Sequence, residues 1–205
     1  MPRSRHDPKA LEAVANTRER LIVAACEEFL TLSFLQTDSN AIARRAGLST
    51  GTFYNHFDSK EAIFVSAFER LASEETNAIS QACLERFNQT EGSLAAVAEV
   101  FVDTLVKSRQ RLSVIRQQAE ILLRIVPEVQ ACKRRVRDLS IAALVNHAQL
   151  AGITLVSLEE LHVRMHIINA LGDALATSEF EQYGVGNQCA RQQLIAQLTA
   201  CINVK

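Results

Sequence analysis

Ile42-Ala43-Arg44-Arg45-Ala46-Gly47-Leu48-Ser49-Thr50-Gly51-Thr52-Phe53-Tyr54-Asn55-His56-Phe57-Asp58-Ser59-Lys60-Glu61 is the stretch that decides how the rest of the chain is read. Ile42, Ala43, Ala46 and Leu48 recur at helical spacing, and the run stops at Gly47, a residue able to take the left-handed conformation just past a helix end. Ser49 follows as an N-cap, its hydroxyl placed to accept the backbone N–H near Thr52 while Leu48 packs back before the cap. On the helix that starts there, Phe53 and Phe57 lie four apart on one face, which must be the buried one. The other faces carry Thr50, Gly51, Thr52, Tyr54, Asn55 and His56, a small, hydrogen-bonding set with a glycine that lets a partner's backbone come close. Ser59 can cap one more helix, with Lys60 in its first turn, where free N–H groups and a cation both favour an anion such as phosphate.

Two helices joined by a tight Gly turn, the second offering polar side chains beside phosphate-seeking groups, make the helix-turn-helix arrangement whose second helix enters the DNA major groove. The run from Ala46 to Glu61 resembles the signature of the tetracycline-repressor (TetR) family of bacterial regulators. The likeness covers Thr17 to Phe68 and is concentrated between Ile42 and Glu61. It implies a ligand-responsive transcriptional regulator, most readily a repressor that binds a palindromic double-stranded DNA operator as a homodimer and is released by a small-molecule effector. It also implies that Tyr54, His56 and Lys60 touch phosphates while Thr50, Thr52 and Asn55 lie near base edges. An amide such as Asn55 can pair bidentately with adenine, and Thr methyls can meet the thymine methyl. Gly51 and, on the preceding helix, Thr37 and Asn40 complete the implied contact set. The chain departs from the family pattern at Ser33-Phe34, where Gly-Phe is usual, and at Ser39, where a small apolar residue is usual. Asn40 stands where some members place a longer base-reading side chain.

The composition is consistent with this reading. A chain of 205 residues, 48% hydrophobic and 22% charged, can bury one large or two modest cores, and 7 Gly, 3 Pro and no Trp favour helix nearly throughout. The expected fold class is all-α, with a three-helix helix-turn-helix domain followed by a helical ligand-binding and dimerisation domain. The net charge is −1, but residues 1–60 hold eight Lys and Arg against seven Asp and Glu, and the remainder fourteen against sixteen. The polarity suits a DNA-facing N-terminal half, since a DNA binder need be basic only on one face. No apolar run reaches the length of a membrane span and the N-terminus has no signal-peptide core, so a cytoplasmic protein is expected. Cys26, Cys83, Cys132, Cys189 and Cys201 are odd in number and show no Cys-x-x-Cys spacing, which reads as reduced core or interface thiols, Cys189 and Cys201 being the more reactive.

Along the chain, residues 1–16 carry Arg3, Arg5, His6 and Lys9 with little apolar period: a solvated tail, or a basic arm laid along DNA. Residues 17–64 form the expected DNA-binding domain and 65–205 the regulatory one. In the first helix, from Thr17 as cap to Leu32, Leu21, Ile22, Ala25, Phe29 and Leu32 make one stripe with Arg18 near its start. Thr37 is expected to cap the second helix, on which Arg44 and Arg45 face solvent. A long helix runs from Ser59 to Ala82. Further helices are expected over Leu94–Lys107, Leu112–Val126, Pro127 to Gly152, Ser157 to Ser178 with a Ser157/Glu160 capping box, and Asn187–Asn203. The last two are apolar over much of their girth, with Val163, Ile167, Ala170 and Ala174 beside the main stripe of the first and Leu194, Ile195, Leu198 and Ile202 on the second, which points to a four-helix dimer seam.

Several other signals are weighed and set aside. Gly47-Leu48-Ser49-Thr50-Gly51 spells a hydrolase G-x-S-x-G elbow, but that turn needs a preceding strand and Ile42 to Ala46 is helical. The chain is therefore not read as an enzyme. His162 and His166 have a metal-chelating spacing but lack an evident third ligand, so no metal and no cofactor is expected. Lys133, Arg134, Arg135 and Arg137 make a solvated basic face. Phe87, Phe101, Leu105, Gln117 and Glu120 are the residues expected to line an effector cavity. A small-molecule sensor acting through a protein partner remains the alternative function.

Overall fold

The computed structural model describes residues 8–203, with side chains from residue 12 onward. Its helices are α1 (Pro8–Thr31), α2 (Ser39–Arg45), α3 (Thr50–Tyr54), α4 (Lys60–Gln89), α5 (Leu94–Arg111), α6 (Ser113–Leu122), α7 (Pro127–Leu150), α8 (Leu158–Ala176) and α9 (Asn187–Thr199), with a 3-10 turn at Glu179–Tyr183. No strand occurs among the described residues, only an isolated antiparallel bridge between Leu155 and Ile202. The fold is all-α.

Several helix ends differ from the sequence expectation, each for a local reason. α1 is helical from the first described residue, Pro8, onward, so Thr17 is interior and its hydroxyl donates to the Ala13 carbonyl at 2.8 Å instead of capping. Residues 1–7 of the expected arm, including Arg3, Arg5 and His6, lie outside the described residues. The cap of α2 is Asp38, whose carboxylate accepts the Ala41 N–H at 2.7 Å, and not Thr37, whose hydroxyl is spent on the Ser33 carbonyl. α4 continues past Ala82 because Cys83-Leu84-Glu85-Arg86-Phe87-Asn88-Gln89 contains no Gly or Pro, and it stops where Glu91 and Gly92 turn to φ 50° and 89°. Of the expected capping box at α8, Ser157 accepts the Glu160 N–H, but the Glu160 carboxylate goes to Arg164 one turn on.

The chain divides into two compact units. The first comprises Met1–Leu71 with Val114–Cys132. Its core joins Leu21, Ala25 and Phe29 of α1 to Ile42 of α2 and Phe64 and Phe68 of α4, and the rings of Phe29, Phe34 and Phe64 meet at 5.1–6.1 Å between centroids. Leu32 drops out of the α1 stripe and is exposed. Within this unit the Phe34 N–H donates to the Gln118 side chain of α6 at 3.3 Å.

The second unit comprises Ala72–Ser113 with Lys133–Lys205. Here α5, α8 and α9 pack together around Val102, Leu105, Leu161, Met165, Ile168 and Leu194. Gly172 permits the close approach of α8 to α5, since a Cβ there would stand 2.9 Å from Leu105 Cδ2. No helix among the described residues is long and apolar enough to cross a membrane.

Candidate nucleic-acid interface

The turn between α2 and α3 is built as its residues dictate. Gly47 sits at φ 66°, and the Ala46 carbonyl, left over at the end of α2, accepts from Arg20 Nη2 of α1 at 2.7 Å. The Ser49 hydroxyl accepts the Thr52 N–H at 3.1 Å and caps α3. A helix of five residues is not stable alone. What holds it is its aromatic face: Phe53 and Phe57 are buried, their rings 5.9 Å apart, each burial contributing about 2–3 kcal/mol. Behind them the Arg18 guanidinium lies 4.7 Å over the Phe57 ring and hydrogen-bonds Ser66, so Arg18 braces α1 against α4.

The opposite face of α3 is open. Gly51, Tyr54 and Asn55 are exposed, and Thr50, Thr52 and His56 half-buried. Tyr54, 54% exposed, sets its ring edge-on to that of Phe53. Asn40 belongs to the same surface: its Oδ1 accepts from Thr50 Oγ1 at 2.7 Å, tying the first turn of α2 to the first turn of α3. The Thr52 hydroxyl bonds the Ser49 hydroxyl at 2.9 Å. Asn40, Thr50, Gly51, Thr52, Tyr54, Asn55 and His56 thus form one contiguous polar surface.

Two residues of the expected contact set lie elsewhere. Thr37 is 1% exposed, with its hydroxyl turned to the Ser33 carbonyl, so it braces the loop before α2 and presents nothing outward. Lys60 was expected to wait for phosphate; its ammonium instead donates to the Phe34 carbonyl at 2.7 Å and the Thr37 carbonyl at 2.9 Å, and lies 4.1 Å over the Phe34 ring. It fastens the α1–α2 loop to the start of α4, whose Ser59 cap accepts the Ala62 N–H. Arg45 is also engaged: it pairs with Glu28 at 2.5 Å and Glu27 at 3.2 Å on α1, hydrogen bonds that push its pKa up, and so fixes the angle between α1 and α2. These anchoring roles have no periodic signature, because each partner lies many residues away.

The second unit holds two adjoining chambers that share Cys83, Phe101, Leu144, His147 and Leu198 in their walls. The larger, about 290 Å³, is apolar, with Phe87, Val97, Leu155 and Ile202 among its lining residues. The smaller, about 110 Å³, reaches Leu105, Glu75 and Arg109. Of the residues expected to line a cavity, Phe87, Phe101 and Leu105 do so. Gln117 and Glu120 are exposed on α6, in the other unit, and line neither chamber. Burial pushes the Cys83 thiol up to about 11 and raises that of Cys201, so Cys201, buried and engaged with the Gln197 carbonyl, is not the reactive thiol the sequence suggested. Among the described residues no group of three or more His, Cys, Asp or Glu is arranged around a metal site, and His166 is exposed beside a half-buried His162.

Comparison with known proteins bears on this surface directly. Residues 21–67 match the family model described as bacterial regulatory proteins, tetR family. Two curated relatives are the HTH-type transcriptional activator FasR of Mycolicibacterium smegmatis, 26% identical over 127 residues, and the HTH-type transcriptional repressor BepR of Brucella suis, 29% identical over 130 residues. Each alignment takes in 60% of this chain, which spans 58% and 61% of the lengths of those relatives. Among solved structures, a TetR-family regulator from Mesorhizobium loti superposes with a TM-score of 0.65 at 19% identity, over 93% of this chain and 98% of that one. One from a Rhodococcus species gives 0.65 at 15% identity, over 92% and 100%. At these identities the superpositions speak for the fold.

Proposed function

We propose, from the match of residues 21–67 to the tetR-family model and the relatives aligned with it, that the chain is a TetR-family transcriptional repressor that binds a palindromic operator as a homodimer and is released by a small-molecule effector. The observation that carries the reading is the two-sided α3: Phe53 and Phe57 inward, and Thr50, Gly51, Tyr54 and Asn55 outward beside Asn40. A short helix pinned by its aromatic side is a rigid platform, and rigidity is what lets a few side chains discriminate base edges at about 1–3 kcal/mol each. Tyr54 and His56 are assigned to phosphates, and Asn40, Thr50, Thr52 and Asn55 to base edges. Thr37 and Lys60 support the platform from behind.

A twofold dimer must set its two copies of α3 one DNA turn, ~34 Å, apart. The exposed apolar stripe Val163, Ile167, Ala170 and Ala174 on α8 is the surface assigned to that pairing. The chambers of the second unit are assigned to the effector, which displaces the operator only by as much as it prefers the state that does not bind DNA. Of the two curated relatives, one is named an activator and the other a repressor, so the sign of regulation is the part most in need of measurement. A mobility-shift titration against the DNA flanking the protein's own gene, followed by in vitro transcription from that DNA, tests the proposal. A retarded complex that survives competitor DNA and lowers transcription is expected. Binding abolished by salt and indifferent to sequence would overturn it.

A further inference from the structure

Around the smaller chamber of the second unit the charged groups and two of the hydroxyls are engaged with one another, while Ser80, and Asn88 on the larger chamber, are the uncharged polar side chains beside them. In the wall of the smaller chamber the Arg109 guanidinium lies among two carboxylates and an amide: Nη1 donates to Asp173 Oδ1 at 2.8 Å, Nη2 to the Asn169 side-chain Oδ1 at 2.5 Å, and Nε faces Glu75 Oε1 at 3.0 Å. That last approach is an ion pair without straight hydrogen-bond geometry, and both side chains are about as buried as the core. Asn169 spends its amide N–H on the Met165 carbonyl. The Thr76 and Ser140 hydroxyls bond each other at 3.1 Å and reach back to the carbonyls of Ala72 and Val136. A carboxylate entering here would meet the Glu75 and Asp173 carboxylates and compete with them for Arg109, in a wall whose burial pushes the Cys83 thiol up to about 11.

One acceptor is shared by both chambers. His147, in the wall of both chambers, has its Nδ1 2.7 Å from the Ala143 carbonyl of its own helix. A carbonyl oxygen can only accept, so Nδ1 carries the proton, and in the neutral ring Nε2 is an acceptor on the side away from the helix. The larger chamber beyond it offers chiefly apolar side chains, among them Phe87, Val97 and Leu155.

We propose that this cavity takes an uncharged, largely apolar molecule bearing a single hydroxyl of phenolic type, which donates its hydrogen bond to His147 Nε2 where the two chambers meet. The inference rests on the reading of these chambers as the effector site and narrows it to a ligand class.

Isothermal titration of the full chain with 4-hexylphenol, hexylbenzene and 4-hexylbenzoate tests it, the three sharing one apolar body. The phenol binds tighter than the hydrocarbon by roughly five- to tenfold, the worth of one hydrogen bond, and the benzoate binds weakest. In His147→Leu the gap between phenol and hydrocarbon closes while hydrocarbon binding persists, and in His147→Gln, which restores an acceptor, part of the gap returns. A benzoate that equals or exceeds the phenol, a phenol no better than the hydrocarbon, or no binding of any probe overturns the proposal. The order in the unsubstituted protein decides even if a variant does not fold. Adding each probe to the DNA complex separates the two readings: the expected order without loss of DNA keeps the ligand class and removes the effector role, whereas release of DNA by the benzoate alone does the reverse.

Discussion

Lys60 shows how one residue can look like a contact and act as a fastener. Its ammonium satisfies two backbone carbonyls of the α1–α2 loop and rests on the Phe34 ring. Lys60→Met keeps the stem and removes the charge, leaving the Phe34 and Thr37 carbonyls without this donor. The expected result is a loss of about 2–4 kcal/mol in unfolding free energy, read by urea titration, for two hydrogen bonds to a charged donor in a half-buried place. The salt dependence of DNA affinity, read on the folded fraction, should keep its slope, because no phosphate contact has been removed. Gly51 is the opposite case. A Cβ there would meet nothing closer than Ser49 Oγ at 3.7 Å, so the protein itself has room for Gly51→Ala. Helix propensity alone then stabilises the variant by up to about 1 kcal/mol. Its operator affinity should fall at least severalfold by mobility shift, the added methyl standing where DNA backbone must come close. Unchanged affinity would remove Gly51 from the interface.

Elements are legible in a sequence to the extent that their signals are local. The end of α2 at Gly47, the Ser49 cap and the hidden pair Phe53 and Phe57 are all set by neighbours within about one helical turn, and they are found where periodicity places them. The docking of one element on another is not local. Nothing near Gln118 says that it will receive the Phe34 N–H, and nothing near Arg45 says that it will pair with Glu27 and Glu28 while remaining exposed. The membership of α6 in the first unit, so that Gln117 and Glu120 line neither chamber, has no local signal for the same reason. Gly172 belongs at this scale too, since it sets how near α8 comes to α5. Gly172→Val forces a branched side chain against the buried Leu105, and a loss of about 1–3 kcal/mol, measured as a lower Tm, is expected from overpacking. An unchanged Tm would mean that Leu105 can give way.

For the whole molecule the pressing matter is self-association. A dimer seam through the two last helices is a proposal, and within it Leu194 of α9 is fully buried inside its own subunit while Leu198 lines the chambers. Exposed apolar side chains on α8 include Val163 at 61% and Ile167 at 37%, and these are the ones assigned to pairing. Ile167→Glu should therefore give a monomer by sedimentation equilibrium with the fold intact by circular dichroism. It should cut affinity for a full palindrome far more than for a half-site, because tethering two weak heads is worth about 10²–10⁴ in apparent affinity. A variant that stays dimeric would move the seam off α8.

The hydrogen bond from Thr50 to Asn40 reaches into protein engineering. On the proposed assignment of Asn40 and Thr50 to base edges, the amide of one helix is oriented by the hydroxyl of another, and sequence preference would be a property of the pair. Grafting α3 alone onto a different regulator would carry the hydroxyl without its amide, so a transplant that means to move specificity must carry Asn40 and Thr50 as one cassette.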